Sequence, residues 1–143
     1  MHPDRKLLLR AFVALLLVVG IGCGEDRIAA AAPTVERDLA RLMDAWDAGR
    51  MEEFHRLLNA DDYLPDRDAA LAELGRLRRR LGVMEQTAGF LIDDAPEDPA
   101  AWVVAHQPMA MTRGVLRLSL AYDRELRIVG FHLDSGTRPG AGR

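Results

Sequence analysis

The chain of 143 residues is long enough for one domain and a leader, but not for two domains. Hydrophobic residues make up 49% of it, so a core can be built, and the formal net charge is −3. Residues 1–22 hold three of the 19 cations and one of the 22 anions, which leaves 16 against 21, or −5, for the remainder; so acidic a domain lacks the basic face that phosphate backbones require, and no nucleic-acid partner is expected.

The leader comes first. Arg5, Lys6 and Arg10 precede "AFVALLLVVGIG", residues 11–22, which carries no charge. A helix of about 12 residues is about 18 Å long, short of the ~30 Å hydrocarbon core of a bilayer. A basic start followed by a short apolar run is the pattern of a secretory signal, so export is expected rather than a permanent membrane span. The run ends in "GIGC", with glycine immediately before Cys23. This ending resembles the lipobox of bacterial lipoproteins. That resemblance implies cleavage after Gly22, acylation of Cys23, and a membrane partner held through that lipid. The protein would then be anchored to the cell envelope, facing the periplasm or the outside. Lipoboxes prefer an aliphatic residue three positions before the cut, where this chain has Gly20. The competing cut is an A-x-A site within Ala29–Ala32. Cys23 is the only cysteine, which excludes an internal disulfide and any multi-cysteine metal site.

Residues 23–33 read as a tether ended by Pro33, with Thr34 as an N-cap. Val35, Leu39, Leu42, Met43 and Trp46 then fall on one helical face, with Glu36, Arg37, Asp38, Arg41 and Asp44 opposite, and Gly49 stops the helix. Met51, Phe54, Leu57 and Leu58 predict a second, short helix. A polar break containing Pro65 follows. Asp66 caps a third helix carrying Leu71, Leu74, Leu77 and Leu81, which Gly82 ends. Beyond Gly82 the segments 83–93, 100–111, 114–123 and 126–134 read as strands joined by short connections. In the third of them Leu116, Leu118, Leu120 and Tyr122 alternate with Arg117 and Ser119, the pattern of a half-buried strand. In the fourth, Val129, Phe131 and Leu133 share one face, with Ile128, Gly130 and His132 on the other. Pro108 demotes the end of the second strand to an edge or a bulge. Residues 135–143 read as a disordered tail. Helices followed by a meander predict an α+β fold over 34–134, with N-terminal helices packed on a four-stranded antiparallel sheet.

The order of helices then meander, with "WDAGRMEEFHRLL" early and "YDRELRIVGFHL" late, resembles the nuclear transport factor 2-like (cystatin-like) superfamily. The resemblance implies a curved sheet wrapped around the helices to make a conical cavity. That superfamily contains ketosteroid isomerase-like enzymes and many non-catalytic binders, so fold alone does not select an activity.

Trp102, His106, Met109, Tyr122 and Phe131 are the side chains best able to line the mouth of such a cavity; otherwise they are ordinary core. Trp102 and His106 share a face by even spacing. His55, His106 and His132 lie on separate elements without metal-ligand spacing, His55 reads as exposed and His132 as half-buried, and no metal or cofactor is expected. Asp61–Asp62–Tyr63 resembles the acid and tyrosine pairs of isomerases in this superfamily, but adjacent acids before a proline are ordinary loop chemistry. Asp93, Asp94, Glu97 and Asp98 lack the calcium-loop pattern. The run Arg76, Arg78, Arg79 and Arg80 complements a helix C-terminus, or faces an acidic surface. The expectation is therefore an envelope-tethered lipoprotein domain without catalytic residues, binding a small apolar ligand or an envelope protein. The alternatives are an isomerase- or hydrolase-like enzyme with an acid in the cavity, and a structural subunit that forms a homodimer through its sheet.

Overall fold

The computed structural model describes the backbone of residues 5–137 and the side chains of residues 26–137. Its elements are α1 (Arg5–Asp47), α2 (Met51–Leu57), a 3-10 turn (Ala60–Asp62), α3 (Arg67–Leu81), β1 (Met84–Thr87), β2 (Leu91–Asp93), β3 (Val103–Met111), β4 (Gly114–Tyr122) and β5 (Ile128–Gly136). The fold is α+β, with the helices on one face of an open, five-stranded antiparallel sheet. No helix among the described residues is long and apolar enough to cross a membrane.

The apolar stripe of α1 is seated as its spacing predicts: Val35, Leu39, Leu42 and Trp46 are buried. The helix ends at Gly49, whose φ of +72° suits the left-handed position of a Schellman cap. Arg50 N donates to Ala45 O (2.8 Å) and Gly49 N to Trp46 O (3.0 Å), closing that motif. Arg78 adds a second cap from α3: its Nε donates to Trp46 O (2.6 Å) and its Nη2 to Asp47 O (2.9 Å). Asp66 caps α3 by accepting from Ala69 N (3.0 Å).

The start of α1 departs from the expected tether. Residues 24–33 are helical, and Pro33 lies inside the helix. An interior proline costs about 3 kcal/mol. Two features offset it: the alanines at 29–32 are the strongest helix formers, and Ala31 is fully buried against the core. Thr34 is accordingly an interior residue and not an N-cap.

The sheet order is β1-β3-β4-β5, with β2 also pairing with β3. The first expected strand is thus split in two along one edge of β3. Thr87 pairs with Met109 and Leu91 with His106, so Gln107 and Pro108 face the break at 88–90. Proline has no N–H to give a ladder, and the break lies where that donor is missing. The buried Gln107 closes the gap: its Nε2 donates to Ala88 O (2.7 Å) and Pro108 O (2.9 Å). On its other side β3 pairs with β4 without interruption, Pro108 opposite Arg117.

A bulge alters β5. Ala121 pairs with Gly130 but Tyr122 with Ile128, so Val129 is the extra residue. It reverses the inside–outside parity. Ile128 points into the core along with Phe131 and Leu133, while Val129 is 38% exposed. The strand also runs on to Gly136, so residues 135 and 136 belong to the sheet and not to a tail. The rest of the expected tail, from 138, lies outside the described residues.

Candidate functional site

The expected cavity would lie between helices and sheet. That space is filled. Leu42, Trp46, Phe54, Met109 and Leu118 converge there and leave about 10 Å³, no more than room for one water. Trp46 and Phe54 meet edge to face with centroids 5.6 Å apart, an arrangement that fixes both rings.

The five expected lining residues do not form one site. Met109 and Tyr122 are core residues, 8% and 0% exposed. Phe131 is half-buried and packs on Tyr63 with centroids 6.2 Å apart. Trp102 sits just before β3, with the Arg27 guanidinium 5.8 Å from its ring centroid. His106 faces the other way, onto the side of the sheet that carries no helix. Cys23 lies in α1, and its side chain falls outside the described residues.

The open face has its own order. Strand alternation and register bring His106, Ser119 and His132 into one cross-strand row, with exposed Leu91 at the β2 edge. His106 Nδ1 and Ser119 Oγ share a hydrogen bond of 2.8 Å. The next row is Pro108, Arg117 and Asp134, and the next Gln86, Ala110, Val115 and Gly136. These last two rows line a groove of about 600 Å³. Its floor is small and apolar (Pro108, Ala110, Val115), and one cation and one anion, Arg117 and Asp134, stand at its rim. His132 is exposed here, not half-buried.

An acid–tyrosine pair exists, but not at Asp61–Asp62–Tyr63. Tyr122 Oη donates to Asp38 Oδ2 at 3.1 Å, joining the end of β4 to α1. Burial, then the adjacent Asp38 carboxylate, push the Tyr122 hydroxyl far above the ordinary tyrosine range. Tyr63 is raised as well, first by burial and then by Asp62, and its Oη donates to Leu58 O (2.6 Å). Asp38 does not belong to the polar face where its charge placed it. It stands three residues after Val35 and four before Leu42, a stripe position, and that spacing was the signal for its inward placement.

His55 is fully buried rather than exposed, and neither ring nitrogen has a hydrogen-bond partner. The nearest acid, Asp61 Oδ1, is 3.8 Å from Nδ1, beyond hydrogen-bond reach. Two orphaned polar atoms in the core are a net cost to the fold. His55→Leu is expected to raise stability by about 1 kcal/mol in urea unfolding. A destabilised variant would mean that the imidazole has a polar role in the folded protein.

Several of the other charged side chains make local contacts. Arg76 pairs with Glu73 at 2.9 Å. Arg113 caps α3, donating from Nε to Arg80 O (3.0 Å) and from Nη2 to Arg79 O. Asp93 and Asp98 each accept from a backbone N–H two residues on, the ordinary loop use of aspartate. No group of three or more metal-binding side chains occurs among the described residues. No family model, curated protein or solved structure matches this chain.

Proposed function

We propose that this chain is an envelope lipoprotein, held by acylated Cys23, whose α+β domain acts by binding a protein partner on the open face of its sheet. The observation that carries the binding half is the contrast between the two faces. The space between helices and sheet is packed, with about 10 Å³ free, while the uncovered face of the sheet holds a groove of about 600 Å³. So little space between helices and sheet supports a partner protein over a small apolar ligand. A shallow apolar floor with one charge of each sign at its rim suits a protein segment.

The enzymatic alternative has less to rest on. Its acid–tyrosine pair, Asp38 and Tyr122, has the tyrosine fully buried and the acid already held by that hydrogen bond and by Arg37. The hydrogen bond between His106 and Ser119 lies on an uncovered surface, without a closed pocket around it to exclude water.

The test is photocrosslinking in cells, with a benzophenone amino acid at Val115 in the groove or at Glu36 on the exposed side of α1. The proposal expects one discrete adduct from Val115 and none from Glu36. An adduct of twice the chain mass would make the partner a second copy. No adduct, or equal adducts from both positions, would contradict binding at the groove.

A further inference from the structure

We infer that the end of the domain carrying Arg27 and Trp102 rests directly on the bilayer that holds the acylated cysteine, an inference that depends on the lipoprotein reading above. α1 is a single helix from Arg5 to Asp47, so Cys23 and the packed domain lie on one continuous helix. The helix meets the sheet layer at Arg27, whose Nη1 lies 3.5 Å from Asp94 O and whose guanidinium covers the Trp102 ring. From Cys23 to Arg27 the helix rises only about 6 Å. A segment that reads as a flexible tether therefore gives the domain almost no slack.

The surface at this end is defined by pairing. Trp102 N donates to Tyr122 O (2.7 Å), which sets the start of β3 beside the turn at 123–127. The loop at 94–101 lies on the same end, next to Arg27. The far end holds Trp46, 19 residues beyond Arg27 and about 29 Å further along α1. An indole half-buried under a guanidinium has the amphipathic character of side chains that settle at headgroup level. Asp94, Glu97 and Asp98 make the rim acidic, so the surface it fits is zwitterionic rather than strongly anionic.

The experiment uses the full chain, processed in cells, purified from membranes and placed in phosphatidylcholine vesicles containing headgroup-spin-labelled lipid. Flotation and intact mass report the anchor; tryptophan emission reports the contact. The expected result is a floating, acylated protein whose emission is quenched, with quenching lost in Trp102→Phe. A variant with twenty Gly/Ser residues inserted after Gly24, a chain reaching about 25 Å, should float equally well and lose the quenching. A floating protein that is not quenched, or is quenched equally with the insertion, overturns the contact and leaves the anchor standing. A chain that does not float overturns the anchor, and the contact with it.

Discussion

Gly82→Ala is expected to destabilise the fold by about 3 kcal/mol or more. Gly82 ends α3 with φ +81° and ψ −149°, a backbone conformation that L side chains rarely adopt. A Cβ there would stand 1.9 Å from Thr112 Oγ1. That hydroxyl cannot simply turn away, because it donates to Leu81 O (3.1 Å). Gly82 O also accepts from Trp46 Nε1 (3.1 Å), so a shift of its backbone pulls on the core indole. Strain, overlap and two hydrogen bonds thus meet at one position. Gly130→Ala is the control: its φ is not positive, and its nearest contact would be Ala121 Cβ at 3.7 Å. Urea unfolding of both variants checks the argument. Gly82→Ala within about 0.5 kcal/mol of the parent would show that the α3–β1 junction can rearrange freely.

The second large effect is alkaline instability. Tyr122 is 0% exposed, and its hydroxyl is held protonated by burial and by the Asp38 carboxylate. In the unfolded chain it ionises near pH 10. Above that pH the unfolded state has lost a proton that the folded state keeps, so unfolding is favoured as pH rises. The stabilising contribution is fully present below pH ~10 and is lost at up to about 1.4 kcal/mol per pH unit above it. Tyr63 is raised in the same direction and adds a smaller part, since it is only half-buried. Tyr122→Phe is expected to lose about 1.5–3 kcal/mol near neutral pH with its charge-assisted hydrogen bond, but to flatten the alkaline slope. Urea midpoints between pH 8 and pH 11 measure both. An unchanged slope in the variant would mean that Tyr122 ionises freely in the folded protein.

The helices were legible because their signals are local. The caps at Gly49, Asp66 and Gly82 and the stripe from Val35 to Trp46 can each be read within one turn of chain. Part of the open face was legible too. A two-residue connection, Thr112–Arg113, fixes the β3–β4 register, which places His106 opposite Ser119. His132 could not be placed so, because the bulge at Val129 shifts the β5 register by one residue. What stayed hidden depends on distant groups. The helix passes Pro33 because Ala31 finds a core to bury in. The first strand breaks beside Pro108, which has no N–H to offer it, and Gln107, nearly 20 residues on, supplies the amide that fills the gap. His55 is buried although nothing near it in sequence offers its ring a partner.

The central claim, a binding domain anchored through Cys23, is tested most directly by the intact mass of the chain recovered from the membrane fraction. The expected mass is that of residues 23–143 plus acyl groups, and Cys23→Ala should abolish both the acyl increment and the membrane association. A mature chain beginning within the alanine run at 29–32, or a membrane-bound chain that retains residues 1–22, would contradict it.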